Sequence, residues 1–157
     1  HRDLHSFPTR RSSDLLKAGA RFVFLVGDTG IPAPTAEAVG LVRRRWTDDR
    51  RALESVFDEI ADLVLDARQA LEQGRPERLG GDLGRNHQRL QTLGVSSPEL
   101  DRLVQAADGA GALGAKMSGG GMGGNMIALV SAERRESVAD ALRQAGATAV
   151  LETEVGP

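Results

Sequence analysis

The chain has 157 residues and a formal net charge of −2, with an isoelectric point near 5.9, a balance that points away from a nucleic-acid partner. It contains no cysteine, which excludes a disulfide framework, thiolate catalysis and thiolate metal sites. No apolar run approaches the ~18 residues of a membrane span and no signal-peptide pattern opens the sequence, so the expectation is a cytoplasmic protein with no membrane contact.

Residues 1–15 stand apart. They have no periodicity, begin without Met, and contain His1 and His5, two of the three histidines. The segment resembles the translation of a sequencing adapter joined to the end of a contig. It is set aside from fold reasoning, and its histidines are not read as metal ligands. The expectation is that the reading frame continues upstream and that 16–157 is the C-terminal part of a longer protein.

The apolar run 21–27 has the length of a strand buried on both faces. Asp28, Thr29, Gly30, Pro32 and Pro34 then form a turn-rich break. Thr35 suits the cap of a helix over 36–46, although its hydroxyl and the Asp28 carboxylate are equally able to point into a site. The triplet Arg43, Arg44, Arg45 reads as a solvated helix face. From Asp49, the apolar residues Leu53, Val56, Phe57, Ile60, Leu63, Val64, Ala67 and Leu71 recur at three- and four-residue steps, the stripe of a long amphipathic helix. Gly74 stops it and Pro76 starts the next helix, which runs to about 93. His87, on that helix, reads as a hydrogen-bonded packing residue rather than a catalyst. Ser96 and Glu99 have capping-box spacing with Pro98 between them, so another helix follows.

The stretch 109–124 holds eight of the 19 glycines and leads directly into the apolar run 126–130. Each glycine inside a regular element costs roughly 0.5–1 kcal/mol relative to alanine. A loop of this composition makes sense where the backbone takes φ > 0 and brings amides close to an anion such as phosphate; the plain alternative is a flexible linker or a glycine-tolerant hairpin. It lies between strands expected near 113–117 and 125–130, so no helix begins at it. Lys116 is one of only two lysines against 18 arginines, and a compact ammonium there acts as a mobile point charge or lies along a strand end. Ser131 caps a helix that Gly146 ends, and 147–155 alternates as a last strand. The resulting order is strand, helices, strand, strand, helix, strand. This is the α+β, ferredoxin-like split βαβ pattern with extra helices in the first crossover.

These residues resemble the mevalonate kinases of the GHMP kinase superfamily, which also includes galactokinases, homoserine kinases and phosphomevalonate kinases. Asp28-Thr29-Gly30-Ile31 followed by Thr35 and Val39 is similar to the opening of that family's C-terminal half. So are Asn86-His87 with Leu90, Leu93-Gly94-Val95-Ser96, and Leu100-Asp101. The run 111–124 is similar to the superfamily's third, glycine-rich motif, and Lys rather than Arg at 116 favours mevalonate kinase. Two positions depart from the pattern. Met122 stands where mevalonate kinases commonly have Gly and galactokinases Phe, and Asn125 replaces a frequent Cys. Methionine is strained at φ > 0, so position 122 is expected to have ordinary backbone geometry.

The resemblance implies the GHMP kinase C-terminal domain fold over 16–157 and ATP-dependent, Mg2+-dependent phosphorylation of the mevalonate 5-hydroxyl in isoprenoid biosynthesis. It places the main phosphate loop, the catalytic Asp, the acidic Mg2+ ligand and a catalytic Lys in an N-terminal domain, and no matching motif occurs here. No catalytic residue and no metal ligand are therefore expected in this chain, which should be inactive alone. Lys116, Ser118, Gly119, Gly120, Gly121, Gly123 and Gly124 are implied to border the nucleotide and substrate site, with Thr35 as an auxiliary hydroxyl. A homodimer is implied for the intact enzyme. The alternatives are a galactokinase or phosphomevalonate kinase, or a non-catalytic ferredoxin-like module that binds a small ligand.

Overall fold

The computed structural model describes residues 16–157; the adapter-like segment 1–15 lies outside the described residues. In chain order the elements are β1 (Phe22–Asp28), α1 (Thr35–Asp48), α2 (Arg50–Glu72), α3 (Pro76–Leu93), α4 (Pro98–Gly109), β2 (Gly114–Ser118), β3 (Asn125–Val130), α5 (Arg135–Gln144) and β4 (Ala149–Val155). The strands form one antiparallel sheet in the order β2-β3-β1-β4. That is the expected ferredoxin-like order, with α1 to α4 filling the first crossover and α5 the second.

Alternation along the strands divides the sheet into two faces. One carries Leu25, Ala115, Met117, Met126, Ala128 and Val130. They form the main core with Leu100, Leu103, Val104 and Ala107 of α4, Val138 and Leu142 of α5, and Ala38, Leu53 and Val56 of α1 and α2. Fully burying a leucine such as Leu100, Leu103 or Leu142 stabilises by roughly 1.5–3 kcal/mol. On the opposite face, Phe22 and Leu129 pack with Ala70 of α2 and Leu79 of α3. α2 is thus long enough to serve both clusters, one at each end.

α3 lies against the outer edge of β2 through two glycines. A Cβ on Gly80 would sit 2.2 Å from the Leu113 carbonyl oxygen, and one on Gly114 would sit 1.9 Å from that of Gly80. No side chain fits between helix and strand at this crossing. α3 ends where Gly94 takes φ 79° and its N–H returns to the last-turn carbonyls. Arg45, on the helix face that the sequence reads as solvated, also donates from Nη1 to the Thr92 carbonyl at 2.8 Å and ties α1 to the end of α3.

Three capping expectations need correction. Thr35 is the first helical residue of α1; Pro34 occupies the cap and makes no side-chain bond. At α4 the cap is Ser97, whose Oγ accepts from the Leu100 N–H, because Ser96 is engaged with Asp101. α5 starts four residues after Ser131, with Arg134 at the cap and no side-chain bond. The Ser131 carbonyl accepts from the Arg134 N–H at 3.1 Å. Asp49 does cap α2, accepting from the Ala52 N–H at 3.1 Å.

Candidate functional site

The glycine-rich loop spans 119–124 between β2 and β3, and its backbone accounts for its composition. Gly119 and Gly121 have φ 89°, Gly123 139° and Gly124 76°. Met122 has φ 59°, which overturns the expectation of ordinary geometry there. The residue is held in the left-handed region because its N–H donates to the Val95 carbonyl at 2.7 Å while its side chain packs against the main core. A non-glycine residue there stores about 1–2 kcal/mol.

Three neighbouring segments hold this loop. After β1, the Thr29 N–H and hydroxyl both donate to the Gly124 carbonyl, at 3.0 and 2.8 Å, and the Gly124 N–H donates to the Ile31 carbonyl at 2.8 Å. The loop between α3 and α4 supplies Val95; a Cβ on Gly121 would stand 2.0 Å from its carbonyl oxygen. The first turn of α1 supplies Thr35, whose Oγ1 would lie 2.9 Å from a Cβ on Gly120. Although no helix begins in the glycine loop itself, a helix N-terminus therefore abuts it and brings the positive end of its dipole. Among the described residues, the amides of Gly119, Gly120, Gly121 and Gly123 have no backbone acceptor. Such unpaired donors beside a helix N-terminus suit an anion. An apolar pocket of about 470 Å3 opens beside Gly120, lined by Val39, Val42 and Trp46 of α1, Phe57 of α2, and Val95, with Arg43 at its margin.

Directly below the loop, the strand registers align Ser118, Asn125 and Asp28 in one row of the sheet, and Lys116, Ile127, Val26 and Leu151 in the next row on that face. Lys116 is half-buried, and burial holds its ammonium below the usual lysine range. No acceptor among the described residues bonds it. A desolvated, unpaired cation is unfavourable for folding, as expected of a group placed to meet an anion. Thr35, Gly120 and Gly121 thus come together at the loop, while Lys116 sits one row away.

His87 is buried and hydrogen-bonded, as its place in the sequence suggests, but its partners reach further than packing. Its Nδ1 accepts from the Met117 N–H at 3.2 Å and its Nε2 lies 3.0 Å from Asp101 Oδ1. Asp101 Oδ1 also accepts from the Ser96 hydroxyl at 2.6 Å. Burial is the main cause pushing the imidazole below its ordinary value of 6.5. Sequence reasoning missed this chain of contacts: α3, α4 and β2 contribute one residue each and the loop between α3 and α4 contributes Ser96, and no local spacing marks them.

Comparison with known proteins gives a consistent outcome. The family described as GHMP kinases C terminal matches residues 67–148, just over half of the chain. A mevalonate kinase of Pyrococcus furiosus is 40% identical over 136 residues, covering 83% of this chain but 40% of that relative. A galactokinase of Mycobacterium bovis is 40% identical over 87 residues, covering 55% of this chain and 24% of the relative. Among solved structures, the mevalonate kinase of L. major in complex with R-mevalonate superposes with a TM-score of 0.86 at 32% identity, over 90% of this chain and 44% of that one. The chain therefore spans less than half the length of these relatives. By the extent of the family match and the agreement in fold, this chain belongs to the GHMP kinase family, whose C-terminal domain it forms.

Proposed function

We propose that this chain is the C-terminal domain of a mevalonate kinase, and that the intact protein transfers the γ-phosphoryl group of ATP to the 5-hydroxyl of mevalonate. The observation that carries the reading is the convergence on the loop 119–124 of four amides that have no backbone acceptor among the described residues and of the start of α1 at Thr35, with the half-buried ammonium of Lys116 one row below. These groups fit a phosphate. Phosphoryl transfer depends on positioning and on neutralising the charge of the transferred group, and fixed amides reorganise little as that charge develops. In this reading Gly119, Gly120, Gly121, Gly123 and Gly124 form one wall of the nucleotide and substrate site. Ser118 and Thr35 contribute hydroxyls at its margin, and Lys116 adds positive potential from below.

Mg2+ does not fit here in the same way. Among the described residues no group of three or more His, Cys, Asp or Glu side chains is arranged to hold a metal ion. The metal ligands, the main phosphate loop and the base that accepts the hydroxyl proton are assigned to an upstream domain, and the intact protein to a homodimer. Among the described residues no helix is long and apolar enough to cross a membrane.

The test is an assay of the protein encoded by the complete reading frame, with Mg-ATP and each of mevalonate, phosphomevalonate and galactose. Turnover on mevalonate is expected, and the 157-residue chain alone should give none. Turnover confined to galactose would favour the second reading, for which the Mycobacterium bovis similarity speaks. No turnover on any of the three would leave the non-catalytic ligand-binding module.

A further inference from the structure

His87, Asp101 and Ser96 lie outside the glycine loop, yet their bonds run towards both of its sides. Met117 lies on the strand that leads into the loop, and its N–H ends at His87 Nδ1. A nitrogen that accepts carries no proton, so the neutral ring keeps its proton on Nε2 and donates it to Asp101 Oδ1. The same oxygen receives the Ser96 hydroxyl. The adjoining Val95 carbonyl receives the N–H of Met122, in the middle of the loop. Two arms therefore leave one carboxylate, one through His87 to β2 and one through Ser96 and Val95 to Met122.

We propose that His87, Asp101 and Ser96 act as a positioning clamp that fixes the conformation of the loop 119–124. β2 is an edge strand, and an unpaired edge amide leaves a strand free to twist or shift. His87 closes that edge at Met117. The strained φ of Met122 persists only while the Val95 carbonyl stays in place, and Ser96 anchors that carbonyl's segment to α4. The functional consequence rests on reading this loop as the wall of a phosphate site; the clamp does not.

The clamp has a readout that packing alone lacks. A second proton on His87 must sit on Nδ1 and so displaces the Met117 N–H. Around the ring, Asp101 and Asp108 of α4 favour that proton while burial and Lys116 of β2 oppose it. Backbone NMR and hydrogen exchange on the complete protein should show the Met117 and Met122 amide shifts moving with the same midpoint as the His87 ring nitrogens. His87→Gln presents an acceptor oxygen and an NH2 donor group but gains no proton, so both amides should stop titrating while keeping their protection. Ser96→Ala cuts one arm only. It should speed exchange at Met122 about tenfold and leave Met117 within about twofold. Amides that ignore both changes overturn the clamp, as does acceleration spread equally over α2 and β1. The complete protein carrying Ser96→Ala separates the two readings. A loosened loop with mevalonate turnover reduced about tenfold supports both. A loosened loop in a protein that never phosphorylates mevalonate keeps the clamp and removes the kinase reading. An unchanged loop with full turnover does the reverse.

Discussion

At the scale of single residues, the glycines of the loop differ in what they are required for. Gly119 has φ 89° and open space, with no atom within 4 Å of where a Cβ would stand, whereas at Gly121 the same φ is joined by the Val95 carbonyl oxygen at 2.0 Å. Gly119→Ala should therefore cost about 1–2 kcal/mol in urea unfolding, the penalty of the left-handed backbone alone. Gly121→Ala should cost a further ~1–3 kcal/mol, because a carbonyl rather than a flexible side chain must move. Equal losses would mean that the Val95 contact does not constrain the loop. His87 gives a pH dependence with a definite sign. Its folded value lies below 6.5, chiefly through burial, so the unfolded chain takes up the proton first. This contribution to stability is complete above about pH 6.5 and declines as pH falls towards the folded value, with a slope of up to about 1.4 kcal/mol per pH unit. In His87→Gln that component should vanish, so the gap between variant and parent urea midpoints should change across this window. A constant gap would contradict the burial of a neutral ring.

At the scale of elements, the sequence shows helices and strands more clearly than the contacts between them. Hydrophobic period and turn residues are local, and they place all nine elements and the ferredoxin-like order. Cap chemistry is local too, yet Ser96 satisfies the capping-box spacing while Ser97 does the capping, because Asp101 competes for the Ser96 hydroxyl. Ser97→Ala should accordingly cost about 1 kcal/mol, and Ser131→Ala, at a position that caps nothing by its side chain, should lie within about 0.5 kcal/mol of the parent. The crossing of α3 and β2 was invisible for another reason: Gly80 and Gly81 look alike in sequence. A Cβ at Gly80 meets Leu113 backbone at 2.2 Å, and at Gly81 it meets nothing within 4 Å. Gly81→Ala should stabilise by about 0.5–1 kcal/mol through helix propensity. Gly80→Ala should destabilise by about 3 kcal/mol or more, as a helix forced off its strand empties the packing between them. Thermal unfolding of the two variants decides the matter, and shifts of the same sign would show that α3 and β2 are not in close contact. The glycine loop was legible as a candidate site from composition. Its positive φ at Met122 was not, since that depends on a carbonyl 27 residues away in the sequence.

At the scale of the whole molecule, the two faces of the sheet are treated differently. Helices cover one face. On the other, α2 and α3 shield only Phe22, Leu129 and their neighbours. Further along that face a groove of about 540 Å3 opens between Phe24 and Ile127 of the sheet and Val64, Leu71 and Leu83 of the helices. It continues into the row that holds Val26, Lys116 and Leu151, and Leu151 is 65% exposed. The same face leads up to Ser118 and the glycine loop, so apolar surface and candidate site share one side of the domain. An apolar surface of this kind is a burden for a protein that works alone and a requirement for one that packs against another domain. The 157-residue chain should therefore bind an apolar dye and sediment as a concentration-dependent mixture of species. Leu151→Arg should reduce both effects without lowering the urea midpoint, because the side chain it replaces contributes little burial. If an upstream domain covers this face, the complete protein should bind little dye at the same concentration. If the short chain stays monomeric and free of dye, the face is not an interdomain surface, and the site on its upper edge is complete without a second wall.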